Sequence, residues 1–203
     1  MDLIRVTKEN LASEHICCAI SGKEADAKKL WMENALDDGL TFVKGNVRGK
    51  CFIEYIPSEK AWAPINADGW MYINCFWVSG QFKGQGFSNL LLNECIKDAI
   101  EQGKKGLVIL SSVKKSGFLS DPKYLRYKGF ILADQASPYF ELMYLPFGES
   151  EDKPSFKSQV KKSLSNTKTG LEIFYTTQCP FTSKYVPLLL KVAESKNISC
   201  VAK

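Results

Sequence analysis

The chain has 203 residues, 45% hydrophobic and 12% aromatic, enough to bury one full core and leave a smaller piece over. Its net charge is +5, and the lysines are scattered apart from a local excess between Lys153 and Lys168; this excludes a nucleic-acid footprint and suits solubility or the steering of an anionic small molecule. No run is long and apolar enough to span a membrane, residues 1–10 are no signal peptide, and seven scattered cysteines with a single histidine (His15) predict reduced thiols, a cytoplasmic location and no metal site.

Taken in chain order, Leu3 to Val6 predicts a short strand, and Cys17 to Ile20 a continuation of the same sheet. Glu24 to Leu36 reads as a helix with Ala27, Leu30, Trp31 and Leu36 roughly on one face, ended by Asp37-Asp38-Gly39. Leu40 to Gly45 and Gly49 to Ile56 form a hairpin across the turn Gly45-Asn46-Val47-Arg48-Gly49. Trp70 to Val78 is mostly apolar and predicts a central strand covered on both faces. Phe87 to Gln102 is a helix with Leu91, Leu92, Cys95, Ile96, Ala99 and Ile100 at helical spacing, stopped by Gly103. Leu107 to Leu110 is a further buried strand. Asp121 to Lys128 is a short helix with Ser120 as its cap and Pro122 in its first turn. Phe130 to Ala133 and Phe140 to Tyr144 complete a mixed α/β layer structure over residues 1–147. Residues 148–170 read as a polar linker in which Phe156, Val160 and Leu164 fall four apart, so that a short helix lies against a surface. A second unit over residues 171–203 consists of a strand from Leu171 to Tyr175, Cys179-Pro180, a helix to about Lys196 and one last strand.

The richest segment is Ile73 to Leu92, where an apolar strand enters a glycine-bearing loop that opens directly onto an amphipathic helix. Glycines let backbone N–H groups approach an anion, and the helix start adds positive potential, so the order makes a phosphate pocket. A P-loop requires Gly-Lys-Ser/Thr after four intervening residues, which does not occur. A dinucleotide fingerprint requires an acidic residue at the end of the next parallel strand, and that strand ends Leu110-Ser111-Ser112.

The segment resembles the GNAT family of acetyl-CoA-dependent N-acetyltransferases, whose signature is Gln/Arg-x-x-Gly-x-Gly/Ala between the fourth strand and a long helix. Taken literally it matches Gln81, Gly84 and Gly86; a second register sets Lys83, Gly86 and Ser88 in the three places and keeps the family's spacing from Val78 and to Leu91-Leu92. The second is preferred here. In either register the amides of Lys83, Gly84, Gln85, Gly86, Phe87, Ser88 and Asn89 face the pyrophosphate of the co-substrate acetyl-CoA. The resemblance extends over residues 1–147 in element order, and Tyr127-Lys128-Gly129-Phe130 is similar to the family's helix-to-strand junction. It implies a GNAT-like acyl-CoA N-acyltransferase fold with a short C-terminal βα extension.

The resemblance also implies the chemistry, which is direct attack of an amine on the thioester of acetyl-CoA. The acceptor is a small-molecule or peptide amine of unknown identity. The backbone of Phe76, Trp77 and Val78 is implied to hold the thioester and pantetheine. Thioester aminolysis also requires a proton acceptor for the amine and a donor for the thiolate. Many GNAT members carry the donor as a tyrosine four residues before the Gly of Gly-Phe. That position is Leu125 here, with Tyr124 beside it as the candidate acid or as a packing aromatic. Glu54, among Phe52, Ile53 and Tyr55, is the candidate base, its alternative being a solvent-facing residue on the hairpin. Cys75 is a third candidate, its alternative a small core residue.

At the C-terminus, Phe174 to Thr182 resembles the active-site turn of thioredoxin and glutaredoxin folds, with Pro187 where thioredoxin helices carry a kinking proline and Thr182 in place of a resolving cysteine. A cysteine at a helix N-terminus has its thiolate stabilised, so Cys179 is either reactive or a structural cap. A GNAT domain joined to this Cys-Pro-Phe-Thr segment is similar to the YoaP-like acetyltransferases. Two alternatives to catalysis stand beside it, a CoA-binding sensor or scaffold and a thiol-redox protein working through Cys179.

Overall fold

A computed structural model describes residues 2–16, 22–47, 49–149, 152–161 and 170–203. They form two compact units, one made of Met1–Val6 with Asp38–Lys162, the other of Thr7–Asp37 with Ser163–Lys203. The expected strand from Cys17 to Ile20 lies outside the described residues.

The first unit is built on β1 (Leu3–Val6), β2 (Thr41–Gly45), β3 (Cys51–Pro57), β5 (Met71–Val78), β6 (Gly106–Ser112), β7 (Ile131–Ala136) and β8 (Phe140–Pro146), with β4 (Ile65–Asn66) outside the main sheet. The order across the sheet is β1-β2-β3-β5-β6-β8-β7. Neighbours are antiparallel except β5 and β6, which run parallel. A parallel neighbour requires a crossover, and it is supplied by α2 (Phe87–Glu101). The buried face of α2 is Phe87, Leu91, Leu92, Cys95 and Ala99, while Ile100 is exposed, contrary to the sequence expectation. That face packs with Val43, Ile53, Tyr55, Met71, Ile73, Leu107, Ile109 and Met143 from alternating strand positions, which makes one continuous core.

A partly buried polar knot ties three elements together at the far end of α2. Asp98 accepts two hydrogen bonds from Arg5 Nη2 (2.9 and 2.7 Å) and one from the Tyr55 hydroxyl (2.6 Å). Burial, then the hydrogen bond to Asp98, pushes the Tyr55 phenol far above the ordinary tyrosine value of 10.0. Burial raises Tyr72 to about 12 and holds the Cys51 and Cys95 thiols up as well. Each group keeps its proton in the fold at a pH where the unfolded chain has lost it. Stability is therefore fully present below the unfolded values and falls as pH rises through about 10, by about 1.4 kcal/mol per unit for each such group. The urea midpoint is expected to drop steeply from about pH 9 to about pH 11, and Tyr72→Phe is expected to make the drop shallower.

α3 (Pro122–Tyr127) lies on the α2 side of the sheet, where Leu125 is buried in the core and Tyr124 packs against it. Its cap is Asp121, whose side chain accepts from the Lys123 amide at 2.9 Å, and not Ser120. Pro122 at the first helical position requires the cap to be the residue immediately before it. Ser120 instead accepts at its carbonyl from the Ser111 hydroxyl at 2.8 Å.

The described part of the expected linker, residues 152–161, belongs to the first unit. β9 (Ser155–Phe156) pairs with β4, and Phe156 is buried. α4 covers only Ser158–Lys161, and Leu164 lies outside the described residues. Phe156 is therefore held as strand and not as part of the helix, while Val160 lies on α4. Asp134 on β7 fixes the segment by accepting from the Phe156 amide (2.8 Å) and from Lys161 Nζ (2.8 Å).

In the second unit, α1 (Lys23–Asp37) and α5 (Pro180–Ser195) pack together, and β10 (Leu171–Ile173) pairs in parallel with β11 (Cys200–Ala202). The buried stripe of α1 is Ala25, Lys28, Met32 and Ala35. Leu30 is 65% exposed, so the face expected from hydrophobicity is displaced. The true stripe keeps helical spacing but includes a lysine, which an apolar pattern does not mark.

Candidate active site

The two parallel strands of the first unit stay together only briefly. β5 and β6 pair at Met71–Leu107, Tyr72–Val108 and Ile73–Ile109. Beyond that point β5 continues beside β3 alone, while β6 stays beside β8 and makes a single parallel bridge from Ser111 to Ser120. The separation coincides with a bulge. Glu54 faces Cys75 and Tyr55 faces Ile73, leaving Asn74 as the extra residue on β5. The open half of β5 is Phe76, Trp77 and Val78, the stretch expected to meet the thioester arm. Burial follows the opening, complete at Met71 to Ile73 and partial beyond, with Trp77 42% exposed. The expectation of a strand covered on both faces therefore holds for its first half only.

The loop beyond β5 makes one short 3-10 turn over Gly80–Phe82 and then enters α2. Gly84 (φ +77°) and Gly86 (φ +81°) both lie in the left-handed region, where a side chain is strained. Nothing comes within 4 Å of where a Cβ would stand on either, so the loop is open outward at both. Gly86 is the N-cap of α2 and supplies no side-chain acceptor. The Lys83 amide donates to the Gly80 carbonyl (3.2 Å) and the Asn89 amide to the Gly86 carbonyl (3.0 Å). The amides between them, from Gly84 to Ser88, find no acceptor among the described residues. Exposed helix-start amides with the positive end of the helix behind them form an anion site.

Packing holds the loop in place. The buried Phe87 ring meets Phe82 edge to face at 5.6 Å and lies against Gly45 of β2, where a Cβ would stand 2.9 Å from Phe87 Cε1.

Tyr124 reaches this region from α3. Its ring meets Phe76 edge to face at 5.7 Å. Its hydroxyl oxygen is buried and has no partner in hydrogen-bond geometry among the described residues. Burial pushes its pKa up, against the opposite pull of the nearby Ser88 hydroxyl on α2. Lys128, which closes α3, donates to Asn89 Oδ1 in the first turn of α2. Tyr124, Phe76, Ser88 and Asn89 are therefore neighbours. Lys128 joins them as a residue the sequence reading passed over, because its only local mark is its place before the Gly129-Phe130 junction.

Glu54 is not brought to the same side. Ile53 and Tyr55 face the α2 core, so Glu54 points to the opposite face of the sheet. It is fully buried there, which overturns the solvent-facing alternative. Tyr124 and Glu54 thus lie on opposite faces of the sheet, and Cys75 of β5, which pairs with Glu54 of β3, is partly buried.

In the second unit Cys179 stands at the N-cap of α5 with extended backbone, a partly buried free thiol and no capping hydrogen bond from its side chain. The Thr182 hydroxyl oxygen lies within hydrogen-bond distance of the carbonyls of Thr176 (2.6 Å) and Cys179 (2.7 Å), and Pro187 lies inside the helix.

No family model matches the chain. Among curated proteins it is 44% identical over 202 residues to an uncharacterized N-acetyltransferase, YoaP, from Bacillus subtilis; the match covers 98% of this chain and 80% of that protein. Among solved structures it is similar to an acetyltransferase of the GNAT family from Desulfovibrio desulfuricans (TM-score 0.51, 16% identity, 72% of this chain and 99% of that one). It is also similar to PaiA N-acetyltransferase from Thermoplasma acidophilum, solved in complex with coenzyme A (TM-score 0.50, 14% identity, 72% of this chain and 100% of that one). The last two share its fold.

Proposed function

Because the chain belongs to the YoaP-like N-acetyltransferases and has the GNAT fold, we propose that it transfers the acetyl group of acetyl-CoA to an amine by direct attack at the opening between β5 and β6. It is an acyltransferase; the co-substrate, the route and the residue roles are our reading. The observation that carries it is the joining of two features at one place, the row of unaccepted amides from Gly84 to Ser88 and the half-open strand from Phe76 to Val78. The amides suit a pyrophosphate, and the strand edge suits an amide-bearing arm laid beside it. The buried, unpartnered Tyr124 hydroxyl fits a group still to arrive, since such a hydroxyl is costly to leave unsatisfied.

Acetyl-CoA would bring an activated thioester, and the protein contributes orientation and proton traffic. Phe76, Trp77 and Val78 line up the arm by main-chain hydrogen bonds. Lys83, Gly84, Gln85, Gly86, Phe87, Ser88 and Asn89 hold the phosphate end. Tyr124 stays protonated at neutral pH because burial raises its pKa, and it is the donor to the departing thiolate. Glu54, buried on the opposite face, is the candidate acceptor of the amine's proton. The acceptor is a small-molecule or peptide amine.

A panel of amines, incubated with acetyl-CoA and followed by release of free thiol in a Cys179→Ser background, tests transfer. Turnover with at least one amine class is expected. Tight acetyl-CoA binding with no turnover on any amine would favour a CoA-binding scaffold.

A further inference from the structure

Among the described residues no group stands in hydrogen-bond geometry to the Tyr124 hydroxyl, with the Ser88 hydroxyl only nearby, so the contacts that hold it in place fall on its ring. Two contacts do so. Phe76 meets the ring edge to face at 5.7 Å, and the Lys128 ammonium sits over it at 5.8 Å from the centroid. Lys128 acts in three further ways at once. Its amide donates to the Tyr124 carbonyl at 3.0 Å and closes the turn that carries the tyrosine. Its ammonium donates to Asn89 Oδ1 on α2 and lies 4.8 Å from the Tyr127 ring centroid. A cation beside the positive start of α2 is unfavourably placed for helix stability alone, which sets this lysine apart from an ordinary surface charge.

We infer that Lys128 is a positioning residue for Tyr124, bolting α3 to the first turn of α2 so that the tyrosine hydroxyl is presented at the opening of the sheet. The inference rests on the acetyl-transfer reading for its kinetic consequence but not for its geometry. Asn89 is the other half of the bolt, and its main-chain amide stays with the loop whatever its side chain does.

The test compares Lys128→Met and Lys128→Arg with the unaltered chain. Lys128→Met keeps the length and apolar stem and removes the charge. It is expected to lower kcat by between about tenfold and a hundredfold while leaving KM for acetyl-CoA within about twofold, as is expected of a group that never touches the coenzyme. Lys128→Arg, which can reach Asn89 and stack on the ring, is expected to restore most of kcat. The ring resonances of Tyr124, in tyrosine-labelled protein and assigned with Tyr124→Phe, are expected to shift in the Met variant and return in the Arg variant without any coenzyme present. A raised KM at constant kcat would overturn the inference by making Lys128 a coenzyme contact, and unchanged ring resonances would overturn it outright. If the unaltered chain binds no acetyl-CoA, the acetyl-transfer reading fails, and the ring resonances still decide the role of Lys128.

Discussion

Gly86→Asp is expected to abolish acetyl-CoA binding while leaving the fold intact. Gly86 caps α2 at φ +81° with open space where a side chain would begin. Aspartate tolerates the left-handed region better than most residues, and its carboxylate would accept from the exposed helix-start amides as an N-cap does. The helix is thus satisfied by its own cap, and the site that awaited an anion carries one of its own. Placing like charges together costs several kcal/mol, so the dissociation constant should rise about a hundredfold or more. Gly86→Ala separates the causes. It adds backbone strain of about 1 kcal/mol with no clash and no charge, so its melting temperature should fall a little while affinity changes far less. Calorimetry on both variants checks this, and an Asp variant with undiminished affinity would mean that the loop is not the phosphate site.

Tyr124→Phe should lower kcat by about two to four orders of magnitude, the range for losing a general acid, with acetyl-CoA affinity unchanged. The alkaline limb of the rate profile should disappear with it. The acid must be protonated to act, and burial raises its pKa above 10.0, so in the unaltered chain the rate falls only as pH climbs past that value. Stability is expected to move the other way. The lost hydroxyl is buried and, among the described residues, has no partner in hydrogen-bond geometry, so its removal is expected to leave the urea midpoint unchanged or slightly higher. A phenylalanine variant with full kcat would leave Tyr124 a packing aromatic.

What was legible in the sequence is what short-range chemistry dictates. Two glycines before an amphipathic helix announce both the left-handed turns and the uncapped amides, and Phe87, Leu91, Leu92 and Cys95 announce the face that docks. The hairpin and the strands from β5 to β8 follow from alternation and apolar runs. The rest depends on partners far away in the chain. Phe156 becomes a strand residue because Ile65 and Asp134 receive it, and nothing near it in sequence says so. The stripe of α1 passes through Lys28, so hydrophobicity put the face elsewhere. Glu54 could be placed on a strand but not assigned to a buried face until β2 and β5 flanked it. Tyr124 was named from its place near Gly129, yet its meeting with Phe76 and Ser88 required the two helices and β5 to be assembled.

The central claim is that the loop from Lys83 to Asn89 and the open half of β5 together receive acetyl-CoA. Calorimetric titration of the unaltered chain with acetyl-CoA and, in parallel, with desulfo-CoA tests it most directly. One binding site for each ligand, lost in Gly86→Asp, is the expected result, and no binding of either ligand would contradict it.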